Sequence, residues 1–281
     1  MEETRSTKKK TGPNPTAEMG FWDHIEQLRW HLVKASIAIV AGTVLAFLNR
    51  HFIFDTVLLG PKTSGFPTLR LLCQLGEYLG VSSLCLDNSG LSIININMSG
   101  QFMTLIYVSL VSGLVLAFPY VVYELWKFVK PALLERERKH SAWAVTVISL
   151  LFLTGVAFSY FLIVPLTINF LGTYQVSEAV ANQVSLNSYI STVVSVTLAV
   201  GIVFELPALA YVLARLGVVS AQMMRKYRKV MIVVIFVVAA IITPPDVFSQ
   251  VMVAIPLLLL YEGSIWIAAR AGKSRNTEAS A

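Results

Sequence analysis

Residues 118–138, FPYVVYELWKFVKPALLERER, join the tail of one long apolar run to the head of another. Between them lie Glu124, Lys127, Lys130, Glu135, Arg136, Glu137 and Arg138, set beside Trp126 and Phe128. Charged side chains are costly at the centre of a bilayer, so this stretch is expected at a membrane surface. With Lys139 it holds five basic residues, which assigns it to the cytoplasmic side by the positive-inside rule. Pro119 and Pro131 each lack a backbone donor, which predicts a shaped connector rather than one long helix.

Composition extends this reading to the whole chain. Of 281 residues 56% are hydrophobic and 14% charged, whereas soluble domains are about 25% charged. Most of the surface must therefore face lipid, and the long apolar runs exclude a barrel of short alternating strands. The expected class is an all-α polytopic membrane protein. The net charge of +6 comes from cations clustered in a few loops, so it implies no nucleic-acid partner. Residues 1–20 are polar, with Lys8, Lys9, Lys10, Pro13 and Pro15, and read as a disordered cytosolic tail. No small-residue cleavage pattern follows the first apolar run, so that run is expected to remain as a membrane helix. Three units are expected: the tail 1–20, a membrane domain 21–270, and a cytosolic tail 271–281.

Segment one covers about Ile37–Leu48, after an amphipathic lead-in from Phe21 to Lys34 in which Ile25, Leu28, Leu32 and Ala35 recur at helical spacing. Asp23 is the expected N-cap. Residues 49–100 are extramembrane, with an interfacial helix within Thr68–Leu86. Two readings of Cys73 and Cys85 stand side by side: a disulfide, if the loop faces an oxidising periplasm, or two small interior thiols. Segment two spans about Gln101–Tyr123. Segment three spans Ser141–Val164 and ends at Pro165, followed by an outer loop over 166–186 that contains no Lys or Arg. Segment four spans Ser188–Leu213 with Glu205 and Pro207 inside it, and the basic loop after it carries Arg215, Arg225, Lys226, Arg228 and Lys229. Segment five, Val230–Ile242, reaches only about 20 Å at ~1.5 Å per residue against a ~30 Å hydrocarbon core. It predicts a shallow hairpin of two short helices with segment six, Val247–Ala269. Nineteen of the 22 cations fall on one side of this arrangement, leaving Arg50, Lys62 and Arg70 on the other. Six helices with both termini in the cytosol follow.

Glu205 stands out chemically. A carboxyl within an apolar run must be neutral or find a donor, and intramembrane acids are functional by default. It is either a structural bond to a neighbouring helix, a docking point for another transmembrane segment, or a proton site. Glu26 and Glu137 lie on the expected cytosolic face, where two carboxylates suit a ligand with paired guanidiniums. His24, His31, His51 and His140 show no metal-ligand spacing, and there is no phosphate loop, catalytic set or cofactor motif. No enzyme activity is expected.

Several separated motifs resemble the TatC family, the core membrane subunit of the twin-arginine protein translocase. They are His24–Arg29, Phe118-Pro through Trp126-Lys-Phe, Pro131-Ala-Leu to Glu137-Arg138, Phe204-Glu-Leu-Pro207, and Thr243-Pro-Pro-Asp-Val-Phe-Ser-Gln250 with Ala254-Ile-Pro256. The resemblance implies a concave, glove-like set of six helices in the bacterial cytoplasmic (inner) membrane, within a larger assembly that contains further copies. It implies binding of twin-arginine signal peptides on folded precursors, TatA- and TatB-type single-span partners, and transport driven by the protonmotive force. Carried over by position, the peptide site would involve Glu26, Gln27, Arg29, Phe128, Glu137 and Arg138. Glu205 would face a partner helix, and Pro61 and Asp246 match positions tied to assembly. Two positions depart from the family pattern: Gln27 stands where Glu is usual, and Glu124 where Gln is usual, so the acidic surface is expected to be redistributed. A small ion-coupled secondary transporter using Glu205 is the competing reading, and a purely structural scaffold is a third. Under the first reading, Glu137→Ala weakens capture of a labelled twin-arginine precursor more than Glu26→Ala does. Equal retention by both variants in a pull-down removes that assignment.

Overall fold

The protein is described from a computed structural model that covers residues 21–63, 65–81, 85–86, 91–129, 141–175, 177, 182–215, 217–243 and 247–279. Its helices are α1 (Phe21–Leu48), α2 (Pro67–Leu79), α3 (Gly100–Val129), α4 (Ser141–Phe158), α5 (Val164–Thr173), α6 (Leu186–Val203), α7 (Leu206–Arg215), α8 (Ala221–Lys226), α9 (Arg228–Ile242) and α10 (Val247–Ala279). Five stretches are long and apolar enough to cross a membrane: Ile25–Leu48, Gly100–Phe128, Trp143–Thr173, Leu186–Arg215 and Gln250–Arg270. They are spans one to four and span six. Helix α9 is span five, and its 15 residues reach only about 22 Å. The start of α1, the end of α3 and the cations of Arg225–Lys229 share the basic end of the bundle, and the described residues between α1 and α3 cover the other, the loop end.

Spans one and two form a pair that packs mainly on itself. At its centre the helices cross backbone to backbone, since a Cβ on Gly42 would lie 2.8 Å from the Gly113 carbonyl oxygen. Lipid supplies no hydrophobic drive between helices, so close approach at small residues holds such pairs together. Eleven residues separate His31 from Gly42, and eleven separate Glu124 from Gly113, so both contacts obey one antiparallel register. Span four is the hub of the rest and touches spans two, three and five. Span three meets it at a second glycine crossing, Gly155 with Gly201, where Phe152 covers Gly201 and Phe204 covers Gly155. Span six packs along α7, with Ala214 and Ala268 buried between them.

The loop end is a built cap. The π-helical turn Phe52–Leu58 and the tight turn Gly60–Lys62 lead into α2, an amphipathic helix that starts with Pro67 and ends at Gly80 with φ +70. Short strands β1 (Ser92–Ile94) and β2 (Gln183–Ser185) pair in parallel, with Ile93 opposite Val184. The Tyr160 hydroxyl donates to the Val57 carbonyl at 2.6 Å, and that of Tyr189 to the Leu58 carbonyl at 2.8 Å.

Four sequence expectations change here. Pro119 does not break span two: α3 runs on to Val129, because in lipid an unwound backbone costs more than one missing hydrogen bond. Pro165 does not end span three. A π-helical turn over Ser159–Ile163 carries the helix into α5 as far as Thr173, so residues 166–173 are helix and not loop, with 166–169 buried. Pro165 lacks the N–H that would serve the carbonyl four residues back, and the hydroxyl of Thr68 on α2 donates to that Phe161 carbonyl instead. Helix six is not short, since α10 has 33 residues; only span five keeps the expected shallowness. Asp23 lies inside α1 rather than capping it. The two prolines and Asp246 between spans five and six lie outside the described residues.

Thr68→Val deletes the side-chain donor to this exposed carbonyl and should cost about 0.5 kcal/mol, whereas Thr68→Ser keeps the bond. Thermal unfolding of both purified variants checks this: equal stability of the two shows that the Phe161 carbonyl does not rely on Thr68.

Candidate functional site

The last turns of α3 place Glu124, Lys127 and Phe128 on one face, because steps of three and four residues return to the same side of a helix. Across the span-one seam stands His31. Glu124 is 2% exposed, with Oε2 at 2.7 Å from His31 Nδ1 and Oε1 at 3.3 Å from Lys127 Nζ. The carboxylate thus accepts from an imidazole on one helix and an ammonium on its own. The Lys127 ammonium also sits 4.2 Å from the Tyr123 ring centre, and the His31 ring meets Phe128 edge-on at 6.5 Å. The effect is to dock the α1 lead-in on the end of α3.

This arrangement corrects the expectation for residues 118–129. They form helix rather than a shaped connector, and the buried Glu124 adds no acid to the surface near Gln27, where the acidic surface was expected to be redistributed. A buried charge is tolerated when paired and hydrogen-bonded, and this one is. His31 and Lys127 were missed as partners by sequence reasoning. The Glu124–Lys127 spacing was a usable signal, whereas nothing local links residues 93 apart in the chain.

The other predicted residues fall into separate places. Glu26, Gln27 and Arg29 are exposed on the first turns of α1, next to the docked His31–Phe128 contact. Glu137 and Arg138 lie outside the described residues. Pro61 is buried in the tight turn at the loop end, far from these groups. Cys73 and Cys85 are joined by a disulfide, with Cα atoms 4.1 Å apart. Glu77 lies beside them, but sulfurs bonded to each other offer no thiolate to a metal.

Glu205 occupies a break between α6 and α7. Pro207 has no N–H for the Val203 carbonyl, and the chain tightens there, with the Glu205 N–H donating to the Ile202 carbonyl at 3.0 Å. Ordinary helix resumes with the Leu209 N–H bonded to the Glu205 carbonyl at 2.9 Å. Phe204 anchors the break by filling the space above Gly155, 5.4 Å from the Phe158 ring. Ten residues before Arg215, Glu205 sits ~15 Å from the basic end, about half the depth of a ~30 Å hydrocarbon layer. Its Oε1 is buried with no hydrogen-bond partner among the described residues.

A second fixed charge pair joins spans five and six. Arg228 presents Nε and a terminal nitrogen to Glu262 at 2.8 and 2.9 Å, a two-pronged fork. The Tyr261 hydroxyl donates to the Met224 carbonyl at 2.9 Å and ties α8 to the same helix.

Removing the Glu124 carboxylate leaves His31 and Lys127 without their acceptor. Glu124→Leu should lower stability by about 2 kcal/mol, while Glu124→Gln, which keeps an acceptor for His31, should lose less than half of that. Thermal unfolding of both variants decides; equal losses would show that the hydrogen bond to His31 contributes nothing.

Known proteins resemble this chain in sequence and in fold. A family model described as Sec-independent protein translocase protein (TatC) matches residues 23–256. The TatC of Blattabacterium is 38% identical over 264 residues, which covers 93% of this chain and 99% of the relative. That of Helicobacter pylori strain 26695 is 40% identical over 246 residues, 87% of this chain and 85% of the relative. Two crystal structures of the twin arginine translocase receptor TatC superpose with TM-scores of 0.66 and 0.70 at 32% and 33% identity, covering 88% and 87% of this chain and 99% of each structure. The fold is that six-helix membrane fold, and the chain belongs to the TatC family of Sec-independent protein translocase proteins.

Proposed function

We propose that this protein is the signal-peptide receptor and membrane core of a twin-arginine translocase, exporting folded proteins under the protonmotive force. It acts in a bacterial cytoplasmic membrane, with the basic end and both termini in the cytosol. The observation that supports the reading is the docking on α3 of the α1 lead-in, which carries the exposed Glu26, Gln27 and Arg29, through contacts of His31 with Glu124 and Phe128. Signal-peptide guanidiniums would meet Glu26 and Glu137 there, since Arg–carboxylate contacts are bidentate and charge-assisted. Gln27, Arg29 and Arg138 complete the assigned rim. Glu205, with its unpartnered buried oxygen, would accept a polar group of a visiting TatA- or TatB-type single-span helix. Pro61 and Asp246 are assigned to assembly at the loop end, and the complex holds several copies of this chain. Translocation of this kind needs no catalytic residue or cofactor in the chain. A small ion-coupled transporter built on Glu205 is not favoured, because the relatives above are named as translocase proteins.

Purified protein should bind a twin-arginine signal peptide at least about tenfold more tightly than its twin-lysine counterpart, the worth of one lost bidentate contact. Fluorescence anisotropy with both peptides measures the ratio, and equal affinities end the receptor reading. Protease protection of an N-terminal tag in inverted vesicles tests the orientation: a tag shielded from protease there contradicts it.

A further inference from the structure

The spans contain hydroxyls of two kinds. Thr43, Thr104, Thr154, Thr173, Thr243 and Ser264 each donate to the carbonyl four residues back on their own helix. Ser149, Ser159, Thr167 and Thr197 do not, and each has a buried oxygen without a hydrogen-bond partner among the described residues. Ser159 is 0% exposed, Thr167 1% and Ser149 8%. All four lie on spans three and four, as does the unpartnered Oε1 of Glu205.

The glycine crossing sets their relative positions. Gly155 meets Gly201 in an antiparallel seam. Ser159 lies one turn beyond Gly155 and Thr197 one turn before Gly201, so the two stand at the same level. The π-helical turn that begins at Ser159 rests against α6. Buried polar groups in proteins are almost always satisfied, and two that stand opposite each other without touching invite a bridging water. Ordered water in such places makes two to four hydrogen bonds. A π-helical turn also disturbs the regular carbonyl ladder, which adds an acceptor beside Ser159.

We propose that the seam between spans three and four binds ordered water between Ser159 and Thr197. The water satisfies both hydroxyls. The inference does not depend on the function proposed above.

The sign of a stability change tests it. Thr197→Val keeps the side-chain shape and removes the hydroxyl. If the hydroxyl holds water, the melting temperature of the purified full chain should fall by about 2–4 °C. If it is dry and unpaired, the temperature stays level or rises, which overturns the proposal. Ser159→Ala should act alike, and the double variant should lose no more than either single, because one bridge is lost once. Radiolytic labelling of the unmodified protein in nanodiscs provides a readout that needs no variant. Ile163, in the π-helical turn that begins at Ser159, should be oxidised more than about threefold faster than the equally buried Leu257 of span six, as expected beside bound water. Labelling no faster than at Leu257 refutes the site.

Discussion

Hydrocarbon supplies no hydrogen bonds, so every backbone carbonyl left over inside the membrane must find a donor within the protein. The chain places proline in spans two, three, four and six, and each proline leaves one carbonyl unserved. At Pro165 the missing donor comes from Thr68, on a helix nearly a hundred residues earlier. Tyr160 and Tyr189 serve the carbonyls of Val57 and Leu58 in the same way. The cap at the loop end is thus required by irregularities of backbone on both sides of it. It closes spans three and four by satisfying them.

The same constraint shapes the break at Glu205. Pro207 opens the ladder, and the turn stays open because Phe204 drops onto Gly155. A side chain at 155 would collide with that ring, so the glycine and the carboxyl position form one device. The crossing of Gly42 with Gly113 does for spans one and two what Gly155 and Gly201 do for three and four. Small residues let helices approach closely where lipid offers them no other reason to associate.

At the basic end the decisive group is an acid that never reaches water. Glu124 joins span one to span two through His31 and holds Lys127 in place. The acid at 124 is not a surface carboxylate beside Gln27. It is used internally, and Glu26 remains as the exposed carboxylate of the α1 lead-in. The exposed face of the α1 lead-in and the seam that supports it therefore use different acids.

Much of this was legible in the chain itself. Long apolar runs and the distribution of 22 cations determine spans and their expected orientation, because the bilayer acts on each segment separately. Glu205 could be singled out for the same reason, as an acid inside one run. The spacing of Glu124 and Lys127 was also visible. What the tertiary structure alone decided are relations between distant segments: His31 with Glu124, Arg228 with Glu262, Thr68 with the carbonyl that Pro165 cannot serve, and Cys73 with Cys85. Proline was misread at 119 and 165 because its local preference is to end a helix. In a membrane the neighbours that keep the helix going belong to other parts of the chain, and only packing brings them there.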